Sequence, residues 1–285
     1  MIDLLVQGLL LGGLYALFAL GQSLMFGVMR LTNTAQGDFI VLGAFAAIAL
    51  AGAWSVHPFV IGLALLPVAF AAGYALQRGV LNRTLGKDPL PSLVVTFGLG
   101  VVIQNGLLQA FSADPRSLES GGLATASIVL GGHALGVLPL LIFGIAVAAT
   151  AGLQWLSTRT ATGRRFRAVS DDREAAELMG VDARHVYALA TGTAFALVVV
   201  AGVLQALRTT VAPADGPLLL LFAFEAVIVG GMGSFWGTLA GAMLLGVTQQ
   251  LGSWLDPGWG IWSGHIAFLA VLVLRPQGLW PKTRG

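Results

Sequence analysis

Cysteine is absent from the 285-residue chain, and charged residues are scarce. The lack of cysteine excludes a disulfide framework and a thiolate metal site. Charged residues make up 10% of the sequence and hydrophobic residues 56%, whereas about a quarter of the residues in an ordinary soluble domain are charged. This composition excludes a soluble domain and predicts an all-α integral membrane protein, because long uncharged runs cross a bilayer as helices.

Sequence motifs of enzymes are also missing. The phosphate-loop pattern G-x4-G-K-[ST] does not occur, since Gly86-Lys87 is followed by Asp88. The sequence lacks H-E-x-x-H, G-x-S-x-G and a pair of catalytic aspartates. The four histidines are scattered along the sequence and do not have the spacing of metal ligands: His57, His133, His185 and His265. We therefore predict no catalytic residue, no metal and no cofactor in this chain.

Long uncharged runs mark the expected membrane spans, since about 20 apolar residues cross the hydrocarbon core. Spans are predicted at Leu4 to Met29, Phe59 to Gln77, Pro89 to Ala113, Ala134 to Ser157, Val186 to Leu207, Ser234 to Leu251 and Gly260 to Leu274. Two shorter pieces, Phe39 to Ala53 and Leu218 to Val229, either cross or re-enter, which gives about nine or about eight crossings. We predict one transmembrane domain, residues 1–285, whose halves 1–157 and 187–285 flank a polar loop.

The basic residues orient these spans. Of the 15 lysines and arginines, 13 are Arg30 or lie in the loops 78–88 and 158–186 or the tail 275–285, and the other two are Arg116 and Arg208. Cytoplasmic loops carry an excess of Lys and Arg. We therefore predict an outside N-terminus and a cytoplasmic C-terminus and central loop. No basic residue precedes the first apolar run, and no cleavage site leads into polar sequence, so a removable signal peptide is not expected.

Each half contains a short break that opens onto a helix. The first reads Asn33-Thr-Ala-Gln-Gly37-Asp38 and precedes Phe39; the second reads Gly230-Gly231-Met232-Gly233 and precedes Ser234. Matching breaks are typical of an inverted repeat whose discontinuous helices line a central pathway, and Gly37-Asp38-Phe39 is comparable with Gly233-Ser234-Phe235. Irregular backbone at membrane depth must be buried in protein or face a wet cavity.

The central loop, Thr158 to Val186, is the only long polar segment. It carries six arginines and five acids, and we predict a short helix from Asp172 to Met179 within it. Asp171 is the expected cap, Glu174 holds the capping-box position, and Gly180 ends the helix with a positive φ. The small apolar face of this helix favours a docking surface, with a plain solvated loop as the alternative; the face consists of Ala175, Ala176, Leu178 and Met179.

The same loop resembles that of a known family. Glu174-Ala175-Ala176, three residues and Gly180 look like the EAA loop of permease subunits of ATP-binding-cassette importers. The longer string EAAELMGVDARHVYALA resembles the branched-chain amino acid permeases of the LivH type. Four further stretches are similar to motifs of that family and extend the resemblance over nearly the whole chain: LTNTAQGDFIVLGA from Leu31, VVTFGLGVVIQN from Val94, GGMGSFWGTLAGAMLLG from Gly230 and RPQGL from Arg275.

The resemblance implies a function and a set of partners. Such a permease forms the translocation pathway of an importer in the bacterial inner membrane. Its solutes are branched-chain or hydrophobic amino acids, or a related small polar solute such as an amide or a urea-like compound. ATP and magnesium would bind a separate cytoplasmic ATPase. A second homologous permease, in a homodimer or heterodimer, and an extracellular solute-binding protein would complete the complex in the lipid bilayer, and no nucleic acid is expected.

The resemblance also implies that the central loop is the coupling helix that docks on the ATPase. The residues implied in this docking are Glu174, Ala175, Ala176, Leu178, Met179 and Gly180. Glu225 departs from the family, whose members usually carry a small or hydroxyl residue there. A solute different from plain branched-chain amino acids therefore stays open.

Polar and glycine residues at the breaks and within the spans are candidates for the pathway: Asn33, Gln36, Gly37, Asp38, Thr96, Gln104, Asn105, Glu225, Gly230, Gly231 and Gly233. Asp38 either contacts a substrate ammonium or caps the helix expected from Phe39. Gln104 and Asn105 are neighbours that point about 100° apart on a helix, so at most one faces the pathway. Glu225 lies either on the pathway, since intramembrane charges are costly to hold, or near the outer interface.

Two other classes of membrane protein are the alternatives. A secondary transporter or channel also has inverted repeats, but its spans usually hold ion-coupling carboxylates, and only Asp38 and Glu225 are available. The central loop would have no role there. A membrane-embedded enzyme would need the catalytic motifs that are missing. Co-purification with an ATPase would separate the importer from both alternatives.

Overall fold

The computed structural model describes residues 1–54, 56–86, 90–119, 121–130 and 133–280. Lys87, Asp88 and Pro89 and the tail 281–285, on which the motif, span and orientation predictions partly rest, lie outside these residues. The first half contains α1 (Ile2–Met29), α2 (Gln36–Trp54), α3 (Pro58–Gly79), α4 (Leu90–Phe111) and α5 (Val137–Arg159). The loop and second half contain α6 (Ala161–Asp171), α7 (Arg173–Leu178), α8 (Ala183–Arg208), α9 (Gly216–Gly230), α10 (Phe235–Leu255) and α11 (Trp259–Leu274).

Side-chain caps in the local sequence fix several helix starts. Thr160 accepts from the amide of Gly163 at 3.0 Å and begins α6. Asp182 and Ser234 do the same for α8 and α10. Each cap satisfies one of the amides that the first helical turn leaves unpaired.

Seven described helices are long and apolar enough to cross a membrane: α1 to α5, α8, and α9 extended by a short turn from Pro213. α10 has 21 residues and α11 has 16, so these helices together match the predicted number of about nine crossings. The piece expected from Phe39 to Ala53 is a 19-residue helix, long enough to span about 28 Å. The structure is therefore that of an all-α membrane protein.

One small β-hairpin departs from the all-helical prediction. Strand β1 (Ser127–Leu130) pairs antiparallel with β2 (His133–Gly136), and Ser127 lies opposite Gly136. The predicted span from Ala134 therefore begins only at Val137, where α5 starts. β-Branched residues such as Ile128 favour the extended strand conformation.

The two most extensive helix contacts fit the predicted inverted repeat. α1 packs most extensively on α10, and α3 packs most extensively on α8. This is the pattern expected if α1 to α4 correspond to α8 to α11, because the pair α1 and α10 then maps onto the pair α8 and α3. In this correspondence, α2 is the counterpart of α9. The sequence comparison instead matched Gly37-Asp38-Phe39, at the start of α2, with Gly233-Ser234-Phe235, at the start of α10. Because glycine is common in this chain, such a short match arises easily by chance.

Candidate functional site

Helix α2 begins halfway along the bundle. The side-chain Nε2 of Gln36, its first residue, donates to the carbonyl oxygen of Phe18 at 3.3 Å, and Phe18 lies about 16 Å before the end of α1. A Cβ added to Gly21 would lie 2.8 Å from Nε2 of Gln36 and 3.1 Å from the carbonyl oxygen of Ala194 in the middle of α8. Residues 30–35 therefore return into the bundle before α2 starts.

Helix α9 begins beside the start of α2. A Cβ added to Gly37 would overlap the carbonyl oxygen of Gly216, and one added to Gly216 would overlap the carboxylate of Asp38. Only glycine permits this approach of two backbones. Each helix start carries a partial positive charge, so two such starts meet inside the protein. Transporters use discontinuous helices of this kind to bind anionic groups.

Asp38 fills the space between these two helix starts. Its residue is 8% exposed, and its Oδ2 lies 2.5 Å from where a Cβ of Gly100 on α4 would be. Because α2 begins at Gln36, Asp38 lies within the first turn; the prediction that it caps a helix beginning at Phe39 is wrong. Asp38 is thus an acidic residue in the first turn of a helix, a common position for a carboxylate.

Side-chain hydrogen bonds hold the segment before α2. Oδ1 of Asn33 accepts from the amide of Ala35 at 3.1 Å, and the hydroxyls of Thr34 and Thr96 lie 2.8 Å apart. Nδ2 of Asn33 and Oε1 of Gln36 are buried and have no hydrogen-bond partner among the described residues. An unpaired buried polar group costs about 1–3 kcal/mol, so water or a polar solute would bind favourably at these atoms.

The C-terminal segment closes the second break. The amides of Leu279 and Trp280 donate to the carbonyl oxygens of Val229 and Gly230 at 2.8 and 3.0 Å. These carbonyls belong to the last turn of α9, which lacks partners within the helix. Gly231, which follows, has a φ of 101°. The R-P-x-G-L element thus has a structural role at the end of α9.

Glu225 is buried inside the chain and pairs with α11. It is 2% exposed, and its Oε1 lies 2.6 Å from Nδ1 of His265. A residue at the outer interface would be exposed to solvent, so the alternative that placed Glu225 there is wrong. Oε2 of Glu225 has no hydrogen-bond partner among the described residues. Sequence reasoning gave His265 no role; its position in a predicted span was the available signal, since an intramembrane ionisable residue needs a partner.

Gln104 and Asn105 lie on different faces of α4. Thr96 and Gly100, on the face toward α2, are buried, Gln104 is half-buried, and Asn105 is exposed. The amide of Asn105 donates to the carbonyl oxygen of Val101 within α4 at 2.8 Å. An amide on the outer face of an apolar helix would be costly in lipid.

The predicted pathway residues therefore form several groups. Asn33, Gln36, Gly37, Asp38 and Thr96 come together where α2 and α9 begin. Gly230, Gly231 and Gly233 lie at the far end of α9, about 21 Å along the helix from Gly216. Glu225 lies between these groups, against α11.

The central loop forms two helices, α6 and α7. Oδ1 of Asp172 accepts from the amide of Ala175 at 3.0 Å and caps α7. The prediction that Asp171 is the cap is wrong, because Asp171 ends α6. Gly180 has a φ of 84°, as predicted for the residue that ends the helix. Its amide and that of Val181 donate to the carbonyls of the preceding turn.

The tip of α7 exposes two apolar side chains. Leu178 is 89% exposed and Met179 is 85% exposed. Ala176, predicted on the same face, is instead buried. Arg173 and Glu177 form an exposed pair at 2.9 Å, and this hydrogen bond raises the pKa of Arg173. The apolar tip is thus held at the end of a charged, capped helix.

No group of three or more His, Cys, Asp or Glu residues that could hold a metal occurs in the described part of the chain.

Comparison with known proteins identifies the fold and the family. The solved complex "PsaBC from Streptococcus pneumoniae in complex with Fab" contains a chain with a TM-score of 0.50 and 12% identity, covering 96% of this chain and 92% of that one. This likeness concerns the fold alone.

Sequence relatives are closer. The high-affinity branched-chain amino acid transport system permease protein BraD of Pseudomonas aeruginosa is 28% identical, covering 96% of this chain and 94% of the relative. LivH of Escherichia coli, with the same description, is 24% identical over 96% of this chain and 93% of the relative. The family model "Branched-chain amino acid transport system / permease component" matches residues 4–274. The chain therefore belongs to the family of permease components of branched-chain amino acid transport systems.

Proposed function

We propose that this chain forms the translocation pathway of an ATP-driven importer for branched-chain amino acids or a related small solute. The observation that carries the proposal is the exposed apolar tip, Leu178 and Met179, at the end of α7. Exposed leucine and methionine side chains on a charged loop have no stabilising role in an isolated chain. Burial against a partner would contribute about 1.5–3 kcal/mol for each side chain.

The partner proposed for this tip is a cytoplasmic ATPase subunit. It would bind ATP and magnesium and hydrolyse the nucleotide, because this sequence has no phosphate loop. Glu174, Ala175 and Gly180 are exposed beside the tip and would join the contact. Ala176 is buried beneath them and would support it from inside.

The proposed pathway lies where α2 and α9 begin and along α4. Asp38 is enclosed by Gly216 and Gly100, so it would meet a substrate ammonium only when α9 or α4 moves away. The side-chain amide of Asn105 is exposed on the outer face of α4, so this face would contact water or another protein rather than lipid. We assign that face to the pathway between this chain and a second homologous permease.

The proposed orientation places the central loop and the C-terminus in the cytoplasm of a bacterial cell, in its inner membrane. Support comes from Arg116 and Arg208, the basic residues assigned outside. The backbone of Arg116 pairs with that of Val211, just beyond Arg208 at the end of α8, so both lie at one end of the bundle. The solute-binding protein would dock at that end.

A reconstituted system tests the proposal. This chain, its ATPase, its second permease and its binding protein are placed in liposomes, and uptake of labelled leucine is measured with and without ATP. We expect ATP-dependent uptake, and we expect the double replacement Leu178→Asp with Met179→Asp to abolish both ATPase capture and uptake. The matched control is Ile128→Asp with Val129→Asp, two exposed residues on the hairpin assigned to the outside, and it should leave ATPase capture unchanged. Gradient-driven uptake without any ATPase would favour a secondary transporter instead.

A further inference from the structure

Helix α6 is fixed to the end of α5. A Cβ added to Gly163 would overlap the carbonyl oxygens of Leu156 and Ser157, and the guanidinium of Arg167 donates to the carbonyl oxygen of Ser157. Phe166 is buried on the same face of α6. Since α7 follows α6 after the single residue Asp172, a displacement of the apolar tip acts on α6 as a lever.

The end of α6 that adjoins α7 contacts α1. The hydroxyl of Ser170 donates to the carbonyl oxygen of Gly27 at 2.8 Å. Gly27 lies in the last turn of α1, which ends at Met29, so its carbonyl is one of those that the helix leaves without an internal partner. Ser170 supplies that partner from a different segment of the chain.

The same residue of α1 touches the second break. A Cβ added to Gly27 would lie 3.2 Å from the Cα of Gly233, whose φ is 81°. A cavity of about 280 Å³ adjoins this contact, and its lining includes Gly27, Gly233, Phe166, Arg167 and Trp280. On the side of this cavity, the break is therefore not filled by packed side chains.

We propose that Ser170 is a positioning residue that transmits motion of α7 through α6 and Gly27 to the break between α9 and α10. The inference rests on the proposed function, because it needs an ATPase that moves α7. Closure of the ATPase would pull α6 and, through the hydrogen bond from Ser170 to Gly27, displace Gly233 and the end of α9. Helix α9 begins beside Asp38, so this displacement would reach the proposed pathway.

Two variants of the reconstituted complex test the link. Ser170→Ala removes the hydrogen bond, and Gly27→Ala inserts a methyl group between α1 and the break. We expect the ATPase to bind and hydrolyse ATP as before, while the number of solutes imported for each ATP falls severalfold, because part of the motion of α7 no longer reaches α9. Ser170→Thr keeps the hydroxyl and should restore the ratio.

The controls match each change. Thr193→Val removes a hydroxyl that bonds within its own helix α8, to Leu189. Gly52→Ala adds a methyl to the third-last residue of α2, as Gly27→Ala does for α1, but no atom of the described residues outside the nearby backbone lies within 4 Å of that methyl. Both controls should keep the ratio of the unmodified protein.

The outcomes separate the inference from the proposed function. An unchanged ratio in Ser170→Ala would overturn the link, whether or not Gly27→Ala assembles, provided that the Leu178 and Met179 double variant still loses ATPase capture. If that double variant captures the ATPase and imports solute normally, the proposed function itself fails.

Discussion

Glu225 of α9 and His265 of α11 lie 2.6 Å apart, from Oε1 to Nδ1, within the helix bundle. Phe222 stacks on the ring of His265 and also on that of Tyr15, with centroids 6.2 and 4.7 Å apart. The hydroxyl of Tyr15 in turn donates to Gln249 of α10 at 2.6 Å. This chain of contacts joins four helices, and the pair at its end holds α11 to α9 where lipid offers no hydrogen bond.

A double-mutant cycle tests this pair. Glu225→Ala and His265→Ala are each expected to lower the free energy of unfolding by about 3 kcal/mol, because the first leaves the half-buried ring of His265 and the second the buried carboxylate of Glu225 without its partner. The double variant should lose little more than either single one. Denaturation in detergent micelles gives these values. The exposed pair of Arg173 and Glu177 is the control and should couple by about 0.5 kcal/mol; additive losses for the buried pair would contradict the expectation.

Gly216→Ala is expected to force α9 away from α2, because the added methyl overlaps the carboxylate of Asp38. Overpacking of this kind costs about 1–3 kcal/mol, so the melting temperature and the uptake rate should both fall. The control is Gly52→Ala, a substitution in the same bundle whose added methyl packs against no other helix in the described part of the chain. Equal melting temperatures for the two variants would mean that the helix starts are not closely packed.

Asp172→Ala is expected to loosen α7. Loss of an N-cap side chain costs about 1 kcal/mol, so the apolar tip should be less ordered and the apparent affinity for the ATPase should fall about fivefold. Asp171→Ala, one residue earlier and at the end of α6, is the matched control and should bind as the unmodified chain does. Affinity is measured by titrating the purified ATPase. The expectation fails if Asp171→Ala weakens binding more than Asp172→Ala.

The absence of cysteine makes each introduced thiol a reporter of one position. Asn105→Cys should react rapidly with a polar thiol reagent in the isolated chain, since Asn105 is exposed. Gln36→Cys should be protected, because Gln36 is fully buried. In the nucleotide-driven complex we expect Gln36→Cys to become reactive as α9 moves. Protection in every nucleotide state would identify Gln36 as a packing residue.

Local features of this structure follow from the sequence. The uncharged runs identify the membrane helices, since a helix in lipid must consist of apolar residues. The positive φ at Gly180 was predictable because glycine adopts it without strain. The central loop is recognisable from its charges, because a long segment that carries them cannot enter lipid.

Other features were decided only by the tertiary structure. Gly216 is one of 39 glycines, and nothing in its neighbourhood marks it as the residue that meets Asp38. His265 pairs with Glu225 across 40 positions, a separation at which sequence spacing carries no geometric information. Asp171 and Asp172 are both competent helix caps, and the turn between α6 and α7 selected the second. Periodicity and propensity report on neighbours within a few residues, whereas these contacts depend on how whole helices pack.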